Sequence, residues 1–514
     1  MFQNAVSGNI NDAAATFDAN TDSFYVQDAW HVTPDLTVTG GLRYEMYSSS
    51  AKPIQNNNFQ ARYGFPNTET YDGRSLFQPR LGFNWKFDKD TVVRGGVGLF
   101  GGGNPNVWLS NSYSNTGVAT SIVTINRATT TNPALLAVLN NPDGRTIPAI
   151  VQQQLVAGNG DVNAVDPNFK IPSTWKFDLG ADHSFDLGIL GDGYTVTTDL
   201  IYGQVKDGVV WYNGRLVATG QTPDGRPIYA TRPGFAAGND IIMTNTHRGD
   251  SFTASLQMGK QWKTSWGDVD LQIGYAYNRA RDVSGATSST ALSNYDSFAV
   301  SDVNHPTLGT SNYELRHNGT VAVSWSKGLI WEDAKTTVSM FGNFRSGQPY
   351  SYTFSGTSAV FGDPRQGSRQ HQLFYVPKDQ NDVILAGGLT WDQLNNYIIA
   401  NGLDKYRGQI APRNAFTSSP VGVVDLHFQQ DVPMPVLDKS KLAFTLDMSN
   451  FTNLLNNNWG RISQYGFPYV VPVVQATAIS GGKYTYTGPL QIPNKTVLAR
   501  QSVWGLNLGV RYSF

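Results

Sequence analysis

Apolar and polar residues alternate one by one along several stretches of this chain. In residues 36–47, LTVTGGLRYEMY, Leu42 belongs to the apolar phase and Arg43 to the polar phase. Residues 77–87 and 503–514 repeat the pattern. A period of two residues is typical of a β-strand with one apolar and one polar face. The alternation therefore predicts an all-β fold in which one face of the sheet meets an apolar environment.

Segments of this kind recur along nearly the whole chain. We identify thirteen, and a weaker one near residues 2–12 makes about fourteen strands. Most contain about 10–14 residues, slightly more than a tilted strand needs to cross a bilayer, whereas soluble strands usually have five or six. This length predicts membrane-spanning strands. The thirteen segments are residues 23–32, 36–47, 77–87, 91–100, 173–185, 194–205, 250–263, 266–280, 313–326, 336–347, 422–430, 442–452 and 503–514.

The connections between these segments alternate between short and long. The short ones are residues 33–35, 88–90, 186–193, 264–265, 327–335 and 431–441. The long ones are residues 48–76, 101–172, 206–249, 281–312, 348–421 and 453–502. Short periplasmic turns and long outer loops are characteristic of transmembrane β-barrels. We therefore predict an antiparallel transmembrane β-barrel in the bacterial outer membrane, with long extracellular loops and a last strand that ends in the periplasm.

Composition excludes several other classes of protein. Only 15% of the residues are charged, against about 25% in soluble domains. The net charge of −1 offers no basic surface for a nucleic acid, and the 12% of aromatic residues argue against disorder. Without any cysteine the chain can form neither disulfides nor thiolate sites. No apolar run is long enough for a membrane helix, and residues 1–4 do not resemble a signal peptide.

Tryptophans concentrate near the short connections. Six of the twelve lie within a few residues of one of them: Trp30, Trp85, Trp262, Trp266, Trp325 and Trp331. Indole rings favour the membrane interface, where the ring is apolar and the N–H group is hydrated. We expect these six to form the inner aromatic girdle. Lys260 interrupts an apolar phase but lies near a turn that its amine can reach. A second exception is Asp28 in strand 23–32, where the pattern leaves open which face meets lipid.

The polar phases carry both signs of charge in equal number. We expect a lumen whose charges pair with one another or with a polar plug, because unpaired buried charges are costly. The cations are Arg43, Arg80, Lys86, Arg94, Lys176, Arg316, Arg345 and Arg511. The anions are Glu45, Asp178, Asp182, Asp199, Asp270, Glu314, Asp425 and Asp447.

Motifs for catalysis or cofactor binding give no support for an enzyme. Residues 96–101 match G-x-G-x-x-G, but the run ends a strand and no helix follows, so close packing of strands explains it better than a nucleotide site. The sequence contains neither H-E-x-x-H nor G-x-S-x-G. We predict no catalytic residue, no metal site and no cofactor.

The long connections contain signs of local structure. Residues 141–145, NPDGR, and 222–226, TPDGR, have turn chemistry, with calcium binding by their aspartates as an alternative. Residues 132–140 and 391–401 have helical character, the second after a Thr390 that fits a capping box. We expect folded loops that cap the mouth of the barrel.

Short ordered motifs resemble those of one family. Residues 24–30, FYVQDAW, with LTV and GLRYE at 36–45, resemble the first conserved hairpin of TonB-dependent outer-membrane receptors. QPRLGF at 78–83 and VRGGVGLF at 93–100 resemble the next hairpin, in the form seen in the Oar-like branch. NFTN at 450–453 and VRYSF at 510–514 resemble the closing strands. The resemblance covers the chain from about residue 23 to its end.

The resemblance implies the function and the partners. Family barrels have twenty-two strands and carry a signal peptide and a plug domain, neither of which is recognised here, so it implies that residues 1–514 are the C-terminal portion of the barrel. It further implies a large ligand bound by the outer loops, energy supplied by the TonB system through the plug, and contact with outer-membrane lipid. The alternative is a self-contained passive pore or surface-binding barrel, because an open sheet would leave two unpaired edges in lipid.

The last strand resembles the family's assembly signal. Such a signal is read by the barrel-assembly machinery, which the resemblance adds as a partner. The residues of the apolar phase in this strand are Trp504, Leu506, Leu508, Val510, Tyr512 and Phe514.

Overall fold

A computed structural model describes residues 2–102, 106–123, 125–128, 130–140, 145–155, 160–433 and 441–513 of the chain. Thirteen long strands dominate these residues, and each overlaps one of the thirteen segments predicted from the alternation, with some ends shifted by several residues. They are β1 Asn20–Thr33, β2 Leu36–Ser48, β3 Ser75–Lys86, β4 Thr91–Gly101, β5 Ser173–Phe185, β6 Tyr194–Asn213, β7 Asp250–Thr264, β8 Gly267–Asp282, β9 His317–Trp331, β10 Ala334–Arg345, β11 Val421–Pro433, β12 Lys441–Ser449 and β13 Gly505–Ser513.

The thirteen strands form one continuous antiparallel sheet in chain order. Each strand pairs with its sequence neighbour, and between β7 and β8 the ladder runs unbroken from Asp250↔Arg281 to Thr264↔Gly267. Within the described residues β1 pairs only with β2, and β13 pairs only with β12. The path of the sheet therefore has two ends. All fourteen residues of β1 are exposed, as expected for a strand with one free edge.

The weaker fourteenth segment is not part of this sheet. Residues Phe2–Ala5 form a four-residue strand that pairs with Thr120–Val123 in a separate two-stranded sheet. Four residues are too few to cross a bilayer, which takes about 9–11. The prediction of a membrane strand near residues 2–12 was wrong, because the short alternation there belongs to a four-residue strand that pairs with a distant connection.

The register settles the orientation of β1. Gln27 pairs with Gly41 and Asp28 with Gly40, so Asp28 lies in the same phase as Trp30 and Leu42. That phase is the apolar one. Asp28 therefore projects from the apolar face of the sheet, and the alternation along β1 alone could not show it.

Nine α-helices occur in the described residues, all outside the thirteen strands. They are α1 Asn57–Tyr63, α2 Asn106–Ser114, α3 Pro133–Val138, α4 Ala149–Gln152, α5 Ala291–Asp296, α6 Gln366–Arg369, α7 Trp391–Ala400, α8 Phe451–Leu455 and α9 Ala499–Ser502. Helices α3 and α7 confirm the two predicted from sequence, and Thr390 and Gln393 form the expected capping box. No helix among the described residues has the length and apolar character needed to span a membrane.

All long connections leave the same end of the sheet, because consecutive strands are antiparallel. We call them together the canopy: the described parts of residues 49–74, 102–172, 214–249, 283–316, 346–420 and 450–504. Two clusters of buried hydrophobic side chains hold it together. One joins residues 346–420 to residues 450–504 and is rich in aromatic rings. The other joins the four earlier connections, so that the canopy has cores of its own beyond the sheet.

Short strands within the canopy stabilise these loops. Val162–Val165 pairs in parallel with Asp240–Thr246, which also pairs with the far end of β6. Leu216–Gln221 forms a hairpin with Pro227–Thr231. In the later connections, Pro349–Thr353 pairs with Phe416–Thr417 and Val470–Pro472, and Lys483–Thr487 joins Ile384–Ala386 to Gln475–Ser480. These pairings, most of them between distant segments, satisfy part of the backbone N–H and C=O groups of the canopy.

Candidate functional site

An aromatic core holds the two C-terminal connections of the canopy together. Phe354 lies 5.3 Å from Phe374, 5.8 Å from Tyr484 and 5.5 Å from Tyr486, measured between ring centroids. These spacings fall in the range in which aromatic pairs attract each other beyond the burial of their area. The contacts of Phe354 with Tyr484 and Tyr486 join residues that lie more than one hundred positions apart. The loops therefore form a packed structure with a fixed shape.

A buried ionic cluster joins this core to the earlier connections. The carboxylate of Asp296, at the end of α5, accepts hydrogen bonds from Arg365 Nε at 2.7 Å and Arg369 Nε at 3.0 Å. His371 lies beside it, with Nδ1 2.8 Å from the Asp296 carbonyl oxygen and Nε2 2.7 Å from Asp363 Oδ2. Because His371 is fully buried, this cluster locks the segment 363–371 onto residues 291–300.

The environment of His371 favours its charged form. Burial by itself lowers the pKa of this imidazole, but the charge and the hydrogen bond of Asp363 outweigh that effect, and the pKa is raised. For Asp363, burial acts to raise the pKa, and the attraction and hydrogen bond of His371 prevail, so the pKa is lowered. The two groups therefore form an ion pair inside the canopy.

A second polar contact bridges three connections. Arg226 Nη2 lies 2.5 Å from Asp224 Oδ2, and Arg226 Nη1 donates to the carbonyl of Leu373 at 2.8 Å. Tyr484 donates its hydroxyl proton to Asp224 at 2.8 Å. A structural role therefore suits Asp224 better than calcium binding does, because its carboxylate already has three protein partners, Thr222 among them. The similar turn at residues 141–144 lies outside the described residues.

On the polar face of the sheet, several of the predicted inward charges pair with one another. Arg94 lies between two carboxylates, 2.6 Å from Asp199 and in contact with Asp182. Arg43 pairs with Glu45 at 2.7 Å. Such pairs remove net charge from the face. They are only partly buried, so each contributes little to stability. Arg316 and Glu314 also pair, at 2.6 Å, but the prediction that they lie on a strand of the sheet was wrong, because β9 begins only at His317 and both belong to the canopy.

Other inward cations rest on an aromatic ring. The guanidinium of Arg80 lies 4.6 Å from the centroid of Phe100, and Lys176 Nζ lies 5.4 Å from it. Phe100 lies in the polar phase of β4, which is unexpected for a hydrophobic side chain. The contact stabilises both cations by their attraction to the ring face.

The six predicted girdle tryptophans all lie at the end of the sheet that carries the short connections. Trp85 pairs across the ladder with Leu36, and Trp262 and Trp325 both pair with Val269. Trp30 lies three residues before the end of β1 and packs over Gly40. Trp266 lies in the turn before β8, and Trp331 ends β9. Lys260 reaches the turn 186–193, where its amine contacts the carbonyl of Asp192 and lies 5.2 Å from the ring of Tyr194.

The last strand keeps its alternation in the structure. Leu506, Leu508, Val510 and Tyr512 are exposed on the apolar face of β13, and Trp504 directly precedes that strand. The predicted terminal residue of the signal, Phe514, lies outside the described residues.

Long antiparallel strands in chain order, an apolar outer face and a polar face with paired charges together define the wall of a transmembrane β-barrel. Residues 2–464 match the family described as outer membrane beta barrel domain. The chain therefore belongs to the outer membrane beta barrel domain family and is a protein of the bacterial outer membrane.

Solved structures of outer-membrane transporters resemble the chain at low identity. The outer membrane transporter YddB from Escherichia coli is 9% identical with a TM-score of 0.42, over 96% of this chain and 45% of that one. The FrpB iron transporter from Neisseria meningitidis is 11% identical with a TM-score of 0.38, over 86% and 42%. The copper transporter OprC is 11% identical with a TM-score of 0.38, over 96% and 47%.

This chain thus spans less than half the length of these three transporters. A comparison with curated protein sequences gives no significant match.

Sequence reasoning missed the ionic cluster around Asp296. Its members come from residues 296 and 363–371, and no local spacing connects the two segments. The spacing of the histidines in the sequence did not indicate this cluster, because the two partners of a buried ion pair are brought together only by the fold. The turn motif at Asp224 was identified, but its contacts with Leu373 and Tyr484 depend on distant parts of the canopy.

Proposed function

We propose that this chain forms most of the barrel of a TonB-dependent outer-membrane receptor that takes up, or exports, a large ligand bound by its extracellular loops. The observation that carries this proposal is the canopy. Six long connections leave one end of the sheet and share buried cores and ion pairs. Loops of this length that fold into a fixed surface are suited to recognition, because their conformational entropy is lost before the ligand binds.

The resemblance of the hairpin motifs to TonB-dependent receptors of the Oar-like branch supports energy transfer from TonB through a plug domain. The paired charges on the polar face also fit a plug, because a charge-balanced surface can pack against another protein surface at low desolvation cost. A passive pore would gain nothing from such pairing. The hairpin motifs and the charge-balanced polar face therefore favour a receptor over a self-contained pore.

The free edges of β1 and β13 support a larger parent barrel of twenty-two strands, of which residues 1–514 are the C-terminal portion. Unpaired edges are unfavourable in a bilayer, where no water satisfies the backbone N–H and C=O groups. Additional strands next to β1 would supply those partners. The alternative is a pore in which β1 and β13 close on each other.

Two further roles belong to the same proposal. Trp30, Trp85, Trp262, Trp266, Trp325 and Trp331 form the periplasmic aromatic girdle, which anchors the barrel in outer-membrane lipid. The apolar phase of the last strand, from Trp504 to Phe514, is read by the barrel-assembly machinery. Neither role involves a catalytic residue, a metal or a cofactor.

Uptake in cells tests the proposal for a ligand of any chemical class. Cells that produce the full-length protein are incubated with a complex mixture of nutrients, and depletion of each compound from the medium is followed by mass spectrometry. We expect at least one large compound to be depleted only when both the protein and TonB are present. Depletion that persists after removal of TonB would instead support the passive pore.

A further inference from the structure

A cavity of about 390 Å³ opens where the polar face of the sheet meets the canopy. Arg345 ends β10 and pairs in register with Asn318, in the polar phase of both strands. Asn312 and Tyr313 approach from the connection before β9, and Phe467 and Tyr469 from the connection after β12. The cavity therefore lies at the canopy end of the polar face of the sheet, along which a ligand would pass.

Arg345 brings an uncompensated positive charge to this cavity. In the described part of the chain its guanidinium makes no ion pair and no hydrogen bond. Glu314 also lines the cavity, but its carboxylate lies 2.6 Å from Arg316 and accepts the backbone N–H of Ala280 at 2.9 Å. The only carboxylate among the described residues of the lining is thus already neutralised, and Arg345 is left available for an anion.

Asn312 adds a buried donor without a partner. The side-chain amide of Asn414 donates to the Thr310 carbonyl at 2.8 Å, which fixes the orientation of that amide. Asn414 also donates to Asn312 Oδ1 at 2.7 Å. The Nδ2 of Asn312 must therefore be the remaining atom; it is buried with no hydrogen-bond partner among the described residues, and with Asn312 only 8% exposed the amide lies within the wall of the cavity. A buried donor without a partner is rare in folded proteins.

Three aromatic side chains complete the lining. Tyr313 is 63% exposed and Phe467 is 52% exposed, although most rings of the canopy are buried. The rings of Phe467 and Tyr469 meet edge to face at 5.7 Å. Tyr469 has φ +64°, a strained conformation for an aromatic residue, and is held there by hydrogen bonds to Gly466 and Ser351. The strained backbone thus holds the half-buried ring of Tyr469 against the exposed ring of Phe467.

We propose that this cavity is a ligand subsite that binds a carboxylate adjoining a planar ring. Arg345 would pair with the carboxylate, and Tyr313 and Phe467 would pack against the ring. Arginine suits this role because its fork of N–H donors matches the two carboxylate oxygens. The inference rests on the proposed function only in naming the cavity as part of the transport path.

Binding of small probes to the full chain in detergent tests the subsite. N-acetyl-L-phenylalanine carries both groups, its amide lacks the charge, and N-acetylglycine lacks the ring. We expect N-acetyl-L-phenylalanine to bind at least about tenfold more tightly than either of the other two, because a charged hydrogen bond and ring packing are each worth that much. Isothermal titration gives the three affinities. Equal binding of the acid and its amide would overturn the proposal.

Variants separate the two groups. Arg345→Met should abolish the preference for the acid over the amide, Arg345→Lys should retain part of it, and Phe467→Ala should weaken both ring-bearing probes alike. Arg461→Met is the matched control, since Arg461 is an exposed canopy arginine outside the cavity lining. Heat modifiability on gels confirms that each variant is folded. The proposal is wrong if Arg461→Met changes the preference as much as Arg345→Met does.

The same measurement identifies the source of the carboxylate. Tighter binding of N-acetyl-L-phenylalanine than of benzoate indicates the terminal residue of a peptide, and the reverse order indicates a free aromatic acid. Both orders support the subsite. Because binding is measured without TonB, a failure here leaves the uptake experiment unaffected.

Discussion

The Nε2 atom of His371 lies 2.7 Å from the Oδ2 atom of Asp363, and both side chains are fully buried in the canopy. Next to this pair, the carboxylate of Asp296 accepts hydrogen bonds from two arginines, and the backbone carbonyl oxygen of Asp296 accepts one from His371. The pair therefore fixes the contact between two long connections that are distant in sequence. Its protonation should control how firmly the canopy is closed.

The canopy should be most stable within a window of pH, whose lower limit is set by Asp363 and whose upper limit is set by His371. The pKa of Asp363 is lowered, so its contribution is present above the ordinary range of a carboxyl group and is lost as the pH falls through the folded pKa. The pKa of His371 is raised, so its contribution is present below about pH 6.5 and is lost as the pH rises through the folded pKa. Limited proteolysis should therefore be slowest in mildly acidic buffer.

The variant His371→Gln tests the origin of the upper limit. We expect it to flatten the rise in proteolysis at alkaline pH, because glutamine keeps hydrogen-bonding capacity without the charge. His247→Gln is the control, since that histidine is exposed and faces Asp207 at 3.5 Å. Profiles that coincide for the native chain and His371→Gln would contradict the role given to the pair.

Removal of the Asp296 charge should open the canopy. The Asp296→Asn change leaves Arg365 and Arg369 without their shared carboxylate in a partly buried position. We expect the free energy of canopy opening, measured by native-state proteolysis, to fall by about 2–3 kcal/mol. Asp268→Asn is the control, because the Asp268–Lys335 pair is exposed and should contribute less than about 1 kcal/mol. Equal effects of the two changes would refute the structural importance of the cluster.

The terminal residue should affect assembly more than stability. Phe514→Asp adds a charge to the apolar phase of the last strand, and such a charge near a membrane interface costs only about 0–1 kcal/mol. We expect a much larger loss of heat-modifiable barrel in outer-membrane fractions, because the assembly machinery would no longer recognise the strand. Leu36→Asp, at the first residue of β2 and the same end of the sheet, is the matched control. Equal yields of Phe514→Asp and the native protein would remove the signal from the account.

The wall and two helices of the canopy could be predicted from the sequence, but the contacts that hold the canopy together could not. Period-two alternation follows from the geometry of a strand between lipid and a polar interior, so residues 36–47 and 503–514 reveal their structure locally. Asp28 was ambiguous because its face depends on the register with Gly40. The short strand Phe2–Ala5, which pairs with Thr120–Val123, resembled a strand of the wall in its sequence pattern. His371, Asp363 and Asp296 meet only after the loops have folded, so no sequence pattern could unite them.

The most direct test of the account is the position of the two ends of the sheet relative to the outer membrane. The chain contains no cysteine, so single cysteines report without background. We expect cysteines at Asn381 and Lys483, both exposed in the canopy, to react with a membrane-impermeant thiol reagent in intact cells. Cysteines at Asp35 and Lys89, exposed in two short turns, should react only after the outer membrane is permeabilised. Labelling of Asp35 and Lys89 in intact cells, with Asn381 and Lys483 protected, would contradict a canopy that faces outward.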